Sequence, residues 1–351
     1  MNQFICVRLI QANGMDLSLF QFDYDLTFSV FFMNADKTLY GRYGSRSSVE
    51  EATKDISLLG LRNSMESALN LHKGYPANRS LLSGKTGPKV KYAVPELYPA
   101  LKGKFTSFIN YTGNVVASCI HCHQVRDEER RQFRNQSKAI PDPVLFPWPM
   151  PNVIGISMDP DGKSRILTVE KGSTAHDAGL RQGDEIETLN GQSIISTADI
   201  QWVLHQSKPL DSIQTTVLRN GERKHLEIAL KESWRNDSDI SWRVTTWDLR
   251  RMVTGGLLLE SLPSTEKSKR GLPENQTALR VKHVGQYGDH AVAKRAGFQK
   301  EDIIIEFDGR HDIRNETDLI AHAMKTRMPG KIVPVKIYRK GKKLDLQLKM
   351  Q

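Results

Sequence analysis

The chain has 351 residues, of which 38% are hydrophobic and 26% charged, with three cysteines and a formal net charge of +10. At roughly 100–200 residues per domain this predicts two to four globular units and excludes wholesale disorder, while three cysteines exclude a disulfide-built mini-scaffold. No apolar run reaches the ~18 residues that a bilayer-spanning helix needs, so no transmembrane segment is expected.

The positive charge is densest at Lys336-Ile337-Tyr338-Arg339-Lys340-Gly341-Lys342-Lys343, a strand and hairpin tip. Without a zinc-finger or aromatic RNA-recognition motif beside it, this run reads as a solvated hairpin, and no nucleic-acid partner is expected. The N-terminus has neither a basic segment nor a cleavage site before Phe4-Ile5-Cys6-Val7. Taken literally, that places the chain in the cytoplasm; a signal peptide upstream of the given start would make it periplasmic.

In chain order, residues 4–10 form a first candidate strand, on which Cys6 is expected to be a buried core residue. Residues 26–33 form a second, almost wholly apolar strand, and Asn34-Ala35-Asp36-Lys37 turns it into a hairpin with residues 38–43. Leu58, Leu61, Met65, Ala68, Leu69 and His72 fall at helical spacing, with Ser57 as N-cap and Gly74 as the stop. Residues 76–151 hold most of the prolines and the cluster Cys119-Ile120-His121-Cys122-His123, followed by a charged helical stretch from Arg126 to Gln136. Their end, Pro147-Trp148-Pro149-Met150-Pro151, reads as an extended connector that packs its aromatics on a neighbour.

The remainder repeats itself. Ala178-Gly179-Leu180-Arg181-Gln182-Gly183-Asp184-Glu185-Ile186 returns 118 positions later as Ala296-Gly297-Phe298-Gln299-Lys300-Glu301-Asp302-Ile303-Ile304, and Asn190-Gly191 returns as Asp308-Gly309. Asp199-Ile200 answers Asp318-Leu319, and Arg219-Asn220-Gly221 answers Arg339-Lys340-Gly341, with the offset drifting to 119 and 120 as duplicated units do at loops. Gly179 permits a tight turn, Asp184 can bond amides across it, and Asn190-Gly191 is a favourable hairpin dipeptide.

This pattern resembles a PDZ domain in the circularly permuted form of HtrA-type proteases. The resemblance implies two small, partly open β-barrel or sandwich domains over 152–232 and 233–351. It also implies that protein C-termini or extended peptides bind by strand addition. In the first copy the resemblance assigns the carboxylate loop to Val153-Ile154-Gly155-Ile156, and the groove wall to Ile200, Val203 and Leu204 on a helix from Thr197 to Leu204. In the second copy the matching loop is Thr254-Gly255-Gly256-Leu257, a looser match in which Glu301 replaces the equivalent of Gly183. No Gly-x-Ser-x-Gly elbow or chymotrypsin-like counterpart occurs, so a serine protease is not expected.

Residues 1–75 resemble the second half of a thioredoxin-like domain, on Asp16 to Thr27, Asn34-Ala35-Asp36 and Tyr40-Gly41-Arg42-Tyr43-Gly44. With Cys119 to His123 and Gly285-Gln286-Tyr287-Gly288, these residues make the chain similar to bacterial thioredoxin-like/PDZ fusion proteins, some of which carry selenocysteine. The expected class is therefore a multi-domain α+β protein: a partial thioredoxin-like α/β piece (1–75), a Pro-rich connector (76–151) and two PDZ-like domains. The segment that carries the thioredoxin redox pair is absent from this sequence, so thioredoxin chemistry at its usual place is not expected.

Cys119-Ile120-His121-Cys122-His123 admits four chemistries. As a c-type haem motif, Cys119 and Cys122 would bind the vinyl groups and His123 the iron, with Met150 or Met158 as the other axial ligand. As a dithiol, Cys119 would be the nucleophile at the head of the following helix. A metal half-site lacks a second Cys-x-x-Cys, so no metal is expected, and two inert thiols are the fourth reading. The leading function is non-catalytic: a tandem PDZ protein-binding adaptor with a Cys/His site, with a haem electron carrier or thiol–disulfide oxidoreductase as the alternative.

Overall fold

The computed structural model describes residues 3–48, 51 and 54–351. The chain divides into two compact units, residues 1–128 with 146–238, and residues 129–145 with 239–351. Residues 1–75, 76–128 and the first PDZ-like copy thus share one unit.

In the first unit, β1 (Val30–Met33) and β2 (Leu39–Tyr43) form an antiparallel hairpin. The turn closes because the Asn34 side chain accepts the Thr38 amide. The helix Leu58–Lys73 follows, with Ser57 Oγ accepting the Gly60 amide as N-cap and Gly74 ending it, as its spacing predicts. Two expectations for this region fail. Residues 4–10 form no strand: Ile5, Val7, Leu9 and Ile10 are exposed, and Cys6 is exposed too, because the sheet here has only two strands and offers this segment no ladder. The second apolar run also shortens to Val30–Met33, since the chain turns from Asp23 to Leu26 and leaves Phe28 half exposed. Among the described residues, a two-stranded hairpin and the helix Leu58–Lys73 stand where the thioredoxin-like piece was expected.

The first repeat contains β3 (Ile156–Met158) paired with β4 (Ile166–Val169). Its other sheet runs in the order β6 (Gln192–Ser193), β5 (Glu185–Leu189), β7 (Ser212–Arg219), β8 (Glu222–Ala229). The helix Thr197–Gln206 packs on a core that includes Ile156, Ile166, Leu180, Ile186, Ile213 and Val217.

The second repeat, in the second unit, forms one five-stranded antiparallel sheet. Its order is β13 (Lys342–Lys349), β12 (Ile332–Arg339), β11 (Ile303–Phe307), β10 (Leu279–Val284), β9 (Leu257–Ser261), which leaves β9 at an edge. The helix Glu316–Thr326 corresponds to Thr197–Gln206.

The repeat extends to atomic detail. Arg219 forks onto the Asp184 carboxylate at 2.7 and 2.8 Å and reaches the Gly179 carbonyl at 2.8 Å; Arg339 does the same to Asp302 and Gly297. Asp184 and Asp302 each accept an amide across their turn, from Arg181 and Gln299. Asn190-Gly191 and Asn220-Gly221 all have positive φ, the geometry of two-residue hairpin turns, and so do Asp308-Gly309 and Lys340-Gly341.

Candidate functional site

A ligand strand needs an unpaired β-edge, and the two repeats differ there. In the first, the Gly155 carbonyl accepts the Glu170 amide and the Asp159 amide donates to the Arg165 carbonyl. These bonds point toward β4, so by strand alternation the amides and carbonyls of Ile156 and Met158 point the other way. Among the described residues no strand pairs with that edge. Gly155 turns the chain into β3 with φ +85°, and a Cβ there would stand 2.1 Å from the Ser173 Cβ. A bulky residue at 155 would therefore disturb the fold and not only a groove.

The loop ahead of this strand spends several of its amides internally, Val153 on the Met150 carbonyl and Gly155 on the Asn152 carbonyl. Ile154 and Ile156 are buried in the domain core together with Ile200, Val203 and Leu204. The helix wall is covered on its other side as well. The Arg42 amide bonds Asp199 Oδ1, Ser196 Oγ bonds the Arg42 carbonyl, and the Trp202 indole bonds the Gly84 carbonyl. Lys85 Nζ lies 2.8 Å from Asp199 Oδ2 with both side chains fully buried. Burial pushes the Lys85 ammonium down against the pull of Asp199, and burial likewise lowers Arg42, to about 10. The Arg42 guanidinium stacks 4.2 Å from the Trp202 ring centroid. Trp148 from the Pro-rich connector stacks on His205 at 5.0 Å and approaches Trp202 at 5.5 Å, so the connector does pack its aromatics on a neighbour.

In the second repeat the edge of β9 is occupied. Leu259 N–H donates to Glu316 Oε1 at 2.8 Å, and Thr254 Oγ1 donates to the Leu257 carbonyl at 3.0 Å. Glu316 also holds Arg250, from the helix Thr246–Thr254, at 2.6 and 3.0 Å, and both side chains are buried. The loop Thr254 to Leu257 is spent too: the Gly256 amide bonds the Arg250 carbonyl, while the Gly255 and Gly256 carbonyls accept the Ala293 and Gly285 amides. Glu316 and Arg250 escaped sequence reasoning. The repeat alignment carried no signal for them, because Thr197 stands where Glu316 does.

The Cys/His cluster belongs to the first unit. Cys119 ends the short helix Val115–Ser118 and Cys122 opens the helix Cys122–Asn135, so the helix begins three residues after the expected nucleophile. Both thiols are free and partly buried. Ile120 between them is fully buried, its amide donating to Asn13 Oδ1 at 2.8 Å and its carbonyl accepting the Ala12 amide. Cys122 packs against a cluster including Met15, Leu17, Tyr24 and Tyr98, and burial, with a contribution from Cys119, pushes its thiol pKa up. His123 Nδ1 lies 2.9 Å from the Tyr24 carbonyl and, since a carbonyl only accepts, is the donor of that bond. Met150 heads the turn Pro151–Ile154 and is not part of the cluster around Cys122; Met158 packs on the core of the first repeat. Among the described residues, no three His, Cys, Asp or Glu side chains converge as a metal ion would require.

Residues 152–230 and 286–350 match the PDZ domain family model, so the duplicated halves are PDZ domains. The chain is 25% identical over 193 residues to a probable periplasmic serine endoprotease DegP-like of Marinomonas sp. (strain MWYL1), covering 55% of this chain and 38% of that protein. It is 34% identical over 89 residues to the serine protease Do-like HtrB of Bacillus subtilis (strain 168), covering 25% of this chain and 19% of the relative. The chain thus spans well under half the length of these relatives. Among solved structures, it is similar to an HtrA3 PDZ domain bound to a phage-derived ligand, at 22% identity and a TM-score of 0.17, over 18% of this chain and 56% of that one. The back half thus carries two PDZ-type repeats, and part of the chain is similar to DegP- and HtrA-type proteases. No helix among the described residues is long and apolar enough to cross a membrane.

Proposed function

We propose that this chain is a protein-binding adaptor that takes an extended peptide or C-terminus on the free edge of β3, while the second PDZ domain is held closed by its own side chains. The observation that carries this reading is the outward set of backbone groups at Ile156 and Met158, beside a Gly155 turn, against a β9 edge already bonded by Glu316. Because Ile200, Val203 and Leu204 are core residues, affinity rests mainly on main-chain hydrogen bonds. Ser157 and Met158, both partly exposed, are the side chains that a ligand meets. The periplasmic names of the DegP-like relatives support export of the chain as part of the same proposal.

The test is peptide selection on the full chain followed by fluorescence anisotropy. Met158→Pro removes one outward amide and leaves the ladder to β4 intact, so it should weaken the selected peptide at least about tenfold. A peptide N-methylated at alternate positions checks the same bonds without touching the protein fold. Equal affinity for methylated and unmethylated peptides would sink the β3 assignment.

A further inference from the structure

The Cys-x-x-Cys segment lies beside an apolar surface that the domain does not use. Phe108 and Val116 are each 80% exposed and Tyr111 is 68% exposed, with Val115 half exposed beside them. The loop that carries them is pinned by hydrogen bonds of its polar residues. Asn110 N–H donates to Ser118 Oγ at 2.9 Å, Asn114 caps the helix Val115–Ser118, and that helix ends on Cys119. Asn13 Nδ2 ties the same loop down through the carbonyls of Thr106 and Ser118, at 2.8 and 3.0 Å. Isolated exposed apolar side chains need no explanation, but here four lie within nine residues, on an anchored loop that leads into the two free thiols.

We propose that Cys119 and Cys122 form a dithiol–disulfide site that reduces the disulfide of an extended polypeptide whose apolar side chains dock on Phe108, Tyr111 and Val116. Cys119 is the attacking sulfur and Cys122, packed against the cluster of Met15, Leu17 and Tyr24, is the resolving one. The Cys119 thiolate, its proton given to water, attacks one sulfur of the substrate disulfide; the other sulfur leaves as a thiolate and takes up a proton. Cys122, giving its proton to water, then attacks Cys119 Sγ in the mixed disulfide and expels the second substrate sulfur as a thiolate, which takes up a proton. The substrate disulfide is reduced to two thiols and Cys119–Cys122 is oxidised to a disulfide, with two electrons transferred and no other reactant consumed. Burial pushes the Cys122 thiol pKa up, in keeping with its second place in the sequence. This site is separate from the β3 edge and stands or falls without it.

The experiment uses the full chain with insulin as the protein disulfide, oxidised glutathione as the small one, and dithiothreitol as terminal reductant. Cys119→Ser should abolish catalysed reduction of both, and Cys122→Ser should accumulate a mixed disulfide visible by mass spectrometry. Phe108→Ser with Val116→Ser should slow insulin reduction about tenfold while sparing glutathione. In the native protein Cys119 should be alkylated faster than Cys122, a readout that needs no variant. Unchanged insulin reduction by Cys119→Ser, or a folded Cys122→Ser that traps nothing, overturns the dithiol. Protein produced with a haem-attachment system that carries covalent haem on both sulfurs overturns it equally. Equal slowing of both substrates by the Phe108 and Val116 changes overturns the docking surface.

Discussion

Glu316 Oε1 accepts the Leu259 amide hydrogen at 2.8 Å, so a carboxylate side chain fills the edge position of β9 that a peptide ligand would otherwise take. The same carboxylate neutralises Arg250, which is buried and also bonds the Ser241 carbonyl at 2.7 Å. One residue therefore closes the edge and anchors the helix Thr246–Thr254 that precedes it.

Removing that carboxylate leaves Arg250 buried and unpaired. Glu316→Ala should destabilise the second unit by about 3–5 kcal/mol, the usual consequence of breaking a buried ion pair. Urea unfolding of the full chain checks it, and a loss under about 1 kcal/mol would mean that Arg250 finds water instead.

The clasp between the N-terminal hairpin and the first PDZ helix rests on Asp199, which accepts the Arg42 and Ile195 amides and pairs with Lys85. Asp199→Ala should cost about 3–5 kcal/mol, because it strands a buried ammonium and two amides. Lys85→Met should cost less, and a double-mutant cycle should give a coupling above about 1 kcal/mol. Additive effects would show that the pair contributes nothing jointly.

Glu301 has φ +72° where its counterpart Gly183 has φ +86°. A side chain in the left-handed region costs about 1 kcal/mol or more, while the 3.6 Å contact to Arg280 engages a solvent-exposed Glu301 carboxylate and is weak. Glu301→Gly should therefore raise the denaturation midpoint, with a gain of up to about 1 kcal/mol offset in part by chain entropy. A lower midpoint would place that pair above the backbone strain.

Acid should weaken the second unit through Asp248. Burial acts to raise its carboxyl, but Arg131 at 2.9 Å and Arg251 at 2.8 Å outweigh burial, and the net pKa lies below the ordinary 3.8. The folded value is below the unfolded one, so the stabilisation is complete above the unfolded pKa and is lost as pH falls through the folded one. Urea midpoints between about pH 2 and pH 5 should drop more steeply for wild type than for Asp248→Asn. Parallel slopes would assign the acid limb to other carboxylates.

Much of the fold was legible because it is written locally. Ser57 caps its helix and Gly74 stops it, as their types dictate. The hairpin dipeptides Asn190-Gly191 and Asp308-Gly309 adopt positive φ, which such residues tolerate best. The charged helix was visible from Arg126 onward, but its true start at Cys122 was not: His121 is no usual N-cap residue, and the signal lay in Gln124 at N3, whose side chain accepts the His121 amide at 2.8 Å. That start moves the helix terminus from Cys119 to Cys122, where burial then outweighs it.

What the sequence determined by itself was the duplication and the turn, cap and strand chemistry within each copy, all set by backbone preferences over a few residues. The tertiary structure decided the rest. An apolar segment such as residues 4–10, carrying Cys6, is buried only if a neighbouring strand exists to receive it. Ile200, Val203 and Leu204 are buried in the core of the first repeat, while the hairpin and Trp148 contact other residues of the same helix, Asp199, Trp202 and His205. Whether an edge is open or closed depends on partners such as Glu316, 57 residues from Leu259, and such long-range contacts follow from how the whole chain packs.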